Sequence, residues 1–254
     1  MRYLGGKHRQ GKAIAEHVMH VWEPGMAYYE PFCGALGSST RVVQAMSKAS
    51  TKRLRVHLSD HHEALISMWR AVMLDGWVPP KSVSEAAYKK VKARRVLTDP
   101  LTGFCGHGLS FAGMWFGVYA RSKTKPVNYA TAACRGVLLK AGILTAAGVD
   151  APKLLDYRKV RPSGAVMYLD PPYANGYQSG GKKPFDHEEY WRYASDMTRK
   201  NIVLATEFTA PDGWLRVFDW GDTVSKHYSS LGPGTKVESI FVHVSQAHLF
   251  TETV

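Results

Sequence analysis

The chain has 254 residues, of which 45% are hydrophobic and 21% are charged. This composition is typical of a globular protein with a full-sized core and excludes a disordered chain. Its three cysteines, Cys33, Cys105 and Cys134, form no C-x-x-C pair, so the sequence encodes neither a disulfide framework nor a thiolate zinc site. Apolar stretches stay well below the roughly 20 residues needed to span a bilayer, and the first residues show no signal-peptide pattern. We therefore expect a cytoplasmic protein without a membrane partner.

The positive charge of the chain is concentrated in its middle third. The formal net charge is +12, and residues 81–161 hold 15 Lys or Arg against 4 Asp or Glu. Residues 1–80 hold 10 against 6, and residues 162–254 hold 8 against 11. Such a distribution indicates a polyanionic partner, although charge by itself does not separate nucleic acid from an anionic membrane surface.

Apolar spacing predicts alternating strands and helices at both ends of the chain. In chain order we expect a helix over 11–22, a strand over 26–29, a helix over 40–46 capped by Ser38 or Ser39, a strand over 54–58 and a helix over 61–72. Further on we expect a strand over 165–169, a helix over 186–199 and strands over 201–206, 214–218 and 239–244. The basic middle has helical patterns over 83–97 and 129–141, separated by a Gly- and aromatic-rich stretch. The pattern predicts an α/β fold, a Rossmann-like doubly wound sheet built from 1–72 and 160–254, with a small, basic, mainly helical insert over 73–159.

The tetrapeptide Asp170-Pro171-Pro172-Tyr173 directly follows a continuous apolar strand. Open α/β sheets bind ligands at the carboxyl ends of their strands, so a reactive carboxylate is expected there. The alternative is a structural turn, since Pro and Asp often form one. The aromatic residue three positions after the carboxylate favours a functional site.

The chemistry of an exocyclic aromatic amine explains these residue types. An amine such as adenine N6 is a poor nucleophile because its lone pair is delocalised into the ring, and two hydrogen-bond acceptors on its N–H groups would localise that pair. Asp170 can accept one hydrogen bond, and the Pro171 carbonyl can accept the other. Tyr173 could stack on a base that has left the duplex.

A second constellation surrounds the first predicted strand. Glu30-Pro31-Phe32-Cys33-Gly34-Ala35-Leu36-Gly37 is followed by Asp60, 23 residues beyond Gly37. Glycines after a strand let backbone approach a ligand closely, and an acid at the tip of the next strand can accept both ribose hydroxyls. An exposed Asp60 would suit an adenosyl cofactor, whereas the glycines alone are equally compatible with a plain turn.

Together these motifs identify a family that the sequence resembles, the Dam-like adenine-N6 DNA methyltransferases. Members begin with a motif ending G-G-K, matched by Gly5-Gly6-Lys7, and continue with P-F-x-G, matched by Pro31-Phe32-Cys33-Gly34. An acid-tipped strand, matched by Asp60, and D-P-P-Y, matched by 170–173, follow in the family's order. Thr206-Glu207-Phe208 and Lys236-Val237-Glu238-Ser239 look like its later motifs, and the resemblance covers most of residues 1–175.

The resemblance implies S-adenosylmethionine as the cofactor, double-stranded DNA as the partner, base flipping as the mode of access and no metal. Asp170, Pro171, Pro172 and Tyr173 would form the catalytic motif. The residues implied to bind the cofactor are Tyr3, Gly6, Lys7, Pro31, Phe32, Cys33, Gly34, Asp60 and Asp170. Residues 73–159 would form the target-recognition insert.

The glycine spacing departs from the family pattern. The family usually has G-x-G after P-F, whereas Ala35-Leu36 separate Gly34 from Gly37 here. Either the loop is one residue longer or Gly37 belongs to the start of the helix. The insert also lacks a close match to a GATC-recognition pattern, so the target site is not implied.

The stretch from Phe111 to Lys125 interleaves aromatics, glycines and cations. Arg121, Lys123 and Lys125 are the predicted DNA-binding residues, because Lys and Arg neutralise phosphates. The aromatics Phe111, Trp115 and Phe116 could wedge against bases, but a small core under the basic loop is the more common role.

We therefore expect a site-specific adenine-N6 DNA methyltransferase. Alternatives are methylation of cytosine N4, methylation of adenine in RNA, and a non-catalytic DNA-binding protein with the same fold. The adjacent His61 and His62 do not share a helix face and lack a third ligand at motif spacing, so no metal site is predicted. The sequence does not indicate an oligomeric state.

Overall fold

A central sheet organises the protein, as described by a computed structural model for residues 1–122, 127–173, 185–221 and 237–250. Within these ranges seven strands form one sheet in the order β3-β2-β1-β4-β5-β7-β6. The strands are β1 (Ala27–Glu30), β2 (Arg55–Asp60), β3 (Lys153–Leu154), β4 (Ala165–Leu169), β5 (Ile202–Glu207), β6 (Trp214–Asp219) and β7 (Ser239–His243). β1 to β5 run parallel to one another, whereas β7 runs antiparallel to both β5 and β6. The predicted Rossmann-like α/β fold class is confirmed.

Helices connect and cover the strands. They are α1 (Gly11–Val21), α2 (Gly37–Ala49), α3 (Glu63–Leu74), α4 (Glu85–Arg94), α5 (Pro100–Gly103), α6 (Tyr129–Ala146) and α7 (His187–Met197). The expected cap of α2 at Ser38 or Ser39 is wrong. The N-cap is Leu36, and the Ser38 hydroxyl donates to the Glu30 carboxylate at 2.5 Å instead of capping the helix.

Apolar side chains cover both faces of the sheet. Tyr28, Tyr168 and Leu204 pack in a cluster with α1, α2 and α3, whereas Leu169 and Ala205 pack in a second cluster with α7. Successive residues of a strand point to opposite faces, so a strand buried on both faces reads as a continuous apolar run. This is the physical basis of the pattern at 165–169.

The segment between α3 and β4 packs closely on the main core. Tyr88, Phe104 and Val137 belong to the same buried cluster as the helices over the sheet. The range assigned to the insert includes β3, which pairs with β2 and is part of the sheet. β3 has two exposed residues, Lys153 and Leu154, and therefore lacks the apolar pattern of a buried strand.

Buried histidines join this segment to the end of β2. His107 lies in a π-helical turn, Phe104–Gly108, and its Nε2 is 3.3 Å from Nε2 of His62, the N-cap of α3. Burial lowers the pKa of His107 to about 3 and also lowers the pKa of His62, so both rings are neutral near pH 7. The insert is thus held against the residues that follow Asp60.

Among the described helices, none has the length and apolar character needed to cross a bilayer.

Candidate active site

Carboxylates meet at one edge of the sheet. Parallel strands end at the same edge, and here the ends of β1, β2 and β5 carry Glu30, Asp60 and Glu207. Asp170 directly follows β4. The connection after β1 leads to β2 on one side, while β4 pairs with β1 on the other. This is a topological switch point, where doubly wound sheets form their ligand crevice.

Asp170 is held by three neighbouring groups. Its Oδ1 lies 2.7 Å from Nζ of Lys7, accepts a hydrogen bond from the Thr206 hydroxyl at 2.9 Å, and lies 3.1 Å from the Tyr173 hydroxyl. Burial raises the pKa of Asp170 above its usual range, although Lys7 opposes this rise. The carboxylate is therefore fixed in orientation and is a better proton acceptor than an exposed aspartate.

Lys7 lies between two carboxylates. Its side chain is 4% exposed, and its ammonium is 3.1 Å from Oε1 of Glu238, is close to Asp170 and donates to the Gly5 carbonyl at 2.9 Å. Burial opposes its charge, but the attraction of Asp170 and Glu238 outweighs burial and raises the pKa of Lys7. The resulting cluster has one positive and two negative charges when both carboxylates are ionised.

Tyr173 contributes its hydroxyl to the same cluster. It is buried, and its hydroxyl donates to the Glu238 carboxylate. Lys7 Nζ lies 4.7 Å from the centre of its ring, and Phe208 packs edge-on against the ring at 4.8 Å. The side chain is thus oriented by contacts on both its hydroxyl and its ring.

The glycine loop after β1 is tied to Asp60. Gly34 has φ of +47° and donates its N–H to Asp60 Oδ2 at 2.9 Å. Oδ1 of Asp60 accepts from the His62 N–H at 2.9 Å, and Asp60 is buried. The expectation of an exposed Asp60 is wrong, because the loop folds over the end of β2 and uses the carboxylate as an acceptor.

Gly37 begins α2, which answers the question raised by the unusual glycine spacing. A Cβ added at Gly37 would lie 2.8–3.0 Å from backbone atoms of Lys7 and His8, so the helix start and the G-G-K segment are in direct backbone contact. Tyr3 packs in the same region, and a Cβ at Gly34 would come within 3.1 Å of its ring. The three N-terminal candidates, Tyr3, Gly6 and Lys7, therefore adjoin the glycine loop.

The remaining loop candidates are mostly buried in the core. Phe32 packs against Tyr157 and Tyr190, with ring centres 5.0 and 5.9 Å away. Cys33 donates its N–H to the Ser59 carbonyl, and burial raises the pKa of its thiol well above the usual range. Pro31 and Pro171 are buried and Pro172 is half-buried. These residues shape the edge of the sheet.

Of the three predicted DNA-binding residues, the structure describes Arg121. Arg121 is 68% exposed and forms an ion pair with Glu85 of α4. Lys123 and Lys125 lie outside the described residues. The aromatics of this stretch differ in burial: Phe116 is buried in the main core cluster, Trp115 is half-buried against it, and Phe111 is exposed.

Sequence reasoning gave no individual role to Glu238, Gln10 or Glu30, although Glu238 lies in a later motif of the resemblance and Glu30 begins the glycine-loop motif. Glu238 is 4% exposed and contacts Lys7, Tyr173 and the Gln10 amide. Glu30 is fully buried, accepts from the Tyr28 and Ser38 hydroxyls, and has a pKa raised by burial to about 7. For the two glutamates the available signal was an acid adjoining a predicted strand, and the sequence carried no comparable signal for Gln10. Within the described ranges, no group of three His, Cys, Asp or Glu side chains could hold a metal ion.

Comparisons with known proteins identify similar structures at low sequence identity. The rRNA methyltransferase AviRa from Streptomyces viridochromogenes is 13% identical, with a TM-score of 0.41 over 96% of this chain and 87% of that chain. SMU.472, described as a candidate methyltransferase complexed with SAH, is 10% identical, with a TM-score of 0.34 over 92% of this chain and 52% of that chain. No protein-family model and no curated protein matches the sequence. The sheet order and the strand-end contacts define a Rossmann-like α/β protein with a buried ion cluster at its switch point.

Proposed function

We propose that the protein is a site-specific methyltransferase that transfers a methyl group from S-adenosylmethionine to the N6 amine of adenine in double-stranded DNA. The observation that carries this proposal is the oriented Asp170 carboxylate, followed by the Pro171 carbonyl, beside the glycine loop at the switch point of the sheet. A carboxylate and a carbonyl are the acceptors that an exocyclic amine requires.

The chemistry of the loop residues fits an adenosyl cofactor. A carboxylate has roughly four lone-pair sites, and backbone N–H groups use two of those on Asp60, so the others can accept ribose hydroxyls. We propose that Tyr3, Gly6, Lys7, Pro31, Phe32, Cys33 and Gly34 line the rest of this binding site. When bound, S-adenosylmethionine supplies an electrophilic methyl group on a sulfonium.

Asp170 and Pro171 orient and activate the amine. Each accepts one N–H hydrogen bond, which turns the nitrogen lone pair away from conjugation with the ring. As the nitrogen gains positive charge, the hydrogen bond to the Asp170 carboxylate becomes stronger than in the ground state. The raised pKa of Asp170 also suits it to accept the proton that the amine loses once its new N–C bond has formed.

The burial of the cluster supports base flipping. Asp170 is 13% exposed and Tyr173 is 8% exposed, so a base paired within a duplex could not reach both. Enzymes that modify bases in duplexes swing the target nucleotide into a pocket, and the net charge of +12 favours a polyanionic substrate.

Substitution of Asp170 tests this proposal. We expect Asp170→Ala and Asp170→Asn to lower the single-turnover rate by on the order of 10²–10³ or more while DNA and cofactor binding persist, because the lost interaction acts mainly in the transition state. The measurement combines labelled S-adenosylmethionine, a mixed-sequence duplex and nucleoside mass spectrometry. Asp196→Asn on the exposed surface of α7 is the matched control and should retain wild-type activity.

Each outcome separates the proposal from an alternative. N6-methyladenine from DNA with wild-type protein supports the proposal, and N4-methylcytosine would overturn the base assignment. Methylation of RNA but not of duplex DNA would overturn the partner. A fully active Asp170→Ala protein would overturn the mechanism, and DNA binding without any methyl transfer would identify a non-catalytic DNA-binding protein.

A further inference from the structure

Glu238 reaches the candidate active site from the antiparallel strand. Because β7 runs opposite to β5, the start of β7 lies at the edge where the parallel strands end, and Ser239 is paired with Glu207. Glu238 directly precedes this pair and is buried. The topology therefore brings a residue near the end of the chain to the same edge as Lys7 near its beginning.

The Glu238 carboxylate contacts three side chains with both of its oxygens. Oε1 lies 3.1 Å from Lys7 Nζ and accepts a hydrogen bond from the Tyr173 hydroxyl, while Oε2 accepts from the Gln10 amide at 3.2 Å. Lys7 is the cationic partner that Glu238 shares with Asp170, and the Tyr173 hydroxyl lies near both carboxylates. In this arrangement the charge of one ammonium is divided between two carboxylates.

Among the described residues, no other titratable group around the cluster supplies a second positive charge. The polar side chains that face or electrostatically influence Asp170 and Glu238 in the described residues are Tyr3, Lys7, Gln10, Glu30, Tyr168, Tyr173, Tyr190 and Thr206. Lys7 is the cation of this set. Its interaction with Glu238 therefore reduces the share of its positive charge that acts on Asp170.

We propose that Glu238 is a positioning residue that holds Lys7 in a shared ion pair and so keeps the Asp170 carboxylate available to the reacting amine. This inference rests on the proposed methyl transfer. Without the Glu238 charge, Lys7 would pair with Asp170 alone, and the cluster would change from a net charge of −1 to zero when Asp170 is ionised.

The charge of the cluster matters most as the methyl group moves. The nitrogen lone pair forms the new N–C bond, the electrons of the S–CH₃ bond remain on sulfur, and the amine nitrogen becomes positive before it releases a proton to Asp170. A net negative cluster stabilises that positive nitrogen, and electrostatic interactions are strong at a buried site. If Lys7 paired with Asp170 alone, its positive charge would destabilise the positive nitrogen.

Glu238→Gln tests the inference with the full-length protein. At saturating DNA and cofactor we expect its single-turnover rate to fall roughly 10- to 100-fold, because a neutral amide neither divides the Lys7 charge nor stabilises the positive nitrogen. The acid limb of its pH–rate profile should move to lower pH, since Glu238 raises the pKa of Asp170 and its removal lowers that pKa. Cofactor affinity should change little.

Three further variants separate charge from structure. Glu238→Asp retains the charge and should lose less than about tenfold in rate. Lys7→Met combined with Glu238→Gln removes both charges, and we expect it to be faster than Glu238→Gln alone if the undivided Lys7 charge is the cause. Glu188→Gln, an acid 85% exposed on α7, is the matched control for loss of a negative charge and should leave the rate and pH profile unchanged.

A spectroscopic readout decides the electrostatic part without relying on activity. The Asp170 carboxyl carbon, followed by ¹³C NMR during a pH titration, should protonate at lower pH in Glu238→Gln than in the wild type. Identical titrations would overturn the inference whatever the activities, and so would an active Glu238→Gln with an unshifted pH–rate profile. If the wild type transfers no methyl group, the proposed function fails, and this titration still decides whether Glu238 controls the charge on Asp170.

Discussion

Asp60 combines a structural role with its proposed binding role. Its two oxygens accept the N–H groups of Gly34 and His62, which tie the glycine loop and the start of α3 to the end of β2. A buried N–H group that loses its acceptor keeps its desolvation penalty without the compensating bond. The carboxylate therefore stabilises the loop that it is proposed to share with the cofactor.

We expect Asp60→Ala to weaken both stability and cofactor binding. Two backbone donors lose their acceptor, at roughly 1–3 kcal/mol each, and the loss of charged hydrogen bonds should weaken S-adenosylmethionine binding roughly 10- to 100-fold. Urea unfolding and calorimetric titration measure the two effects. Asp186→Ala removes an exposed carboxylate that caps α7, and this control should cost about 1 kcal/mol without affecting affinity. Wild-type stability of Asp60→Ala would contradict the structural role, and an unchanged dissociation constant would remove Asp60 from the binding site.

At the scale of elements, the start of α2 and the G-G-K segment depend on close backbone packing. Gly37 occupies the first turn of α2 against the backbone of Lys7 and His8. Lys7 in turn carries the ammonium of the buried cluster. The position of a helix terminus thus controls the position of a charged side chain about 30 residues earlier.

We predict opposite effects for alanine at two helical glycines. Gly37→Ala should lower the free energy of unfolding by about 1–3 kcal/mol, because its Cβ would overlap backbone atoms that cannot move independently. Gly142→Ala in α6 is the control: its Cβ would enter open space, and the substitution should raise stability by about 0.5–1 kcal/mol. Chemical denaturation of both variants checks the signs. A Gly37→Ala protein more stable than the wild type would show that the two segments are not in rigid contact.

Across the whole molecule, positive charge and catalytic candidates occupy different regions. The excess of Lys and Arg lies in residues 81–161, whereas the buried carboxylates lie at the edge of the sheet. Exposed cations act on a polyanion through counterion release, which makes binding depend on salt concentration. Phosphate contacts from the insert would position the DNA, while the target base would bind at the edge of the sheet.

Neutralising Arg121, Lys123 and Lys125 together should therefore flatten the salt dependence of DNA binding. Each lost phosphate contact reduces the slope of log K against log salt by about 0.9, so the change should approach about 2.7. Because Arg121 pairs with Glu85, its share should be smaller than that of an unpaired cation. Fluorescence anisotropy over a salt series measures the slope. Neutralising Arg161, Arg192 and Arg199 around α7 is the matched control, and equal flattening by both sets would show that DNA binding is not localised to the insert.

Much of the fold could be predicted because the spacing of apolar residues along the chain follows the period of the helix or strand that they form. The strand predicted at 165–169 is β4, and the helix predicted at 11–22 is α1. Helix ends were less predictable: α2 begins before the predicted serine caps because Ser38 bonds to Glu30 instead of to its own helix. β3 has two exposed residues and owes its conformation to pairing with β2, so no local pattern indicates it.

The sequence alone determined the α/β fold class and the presence of acids where strands end, because alternation and strand-end motifs are local properties. It also identified Lys7, Asp60, Asp170 and Tyr173 as candidates, through motifs whose residues are close in the chain. Only the tertiary structure decided that Glu238 joins them, since Lys7 and Glu238 meet through the antiparallel direction of β7. Burial of Asp60 was likewise decided by the loop that folds over it. Charge sharing in a buried cluster depends on distances between segments that are far apart in sequence, and local patterning carries no information about those distances.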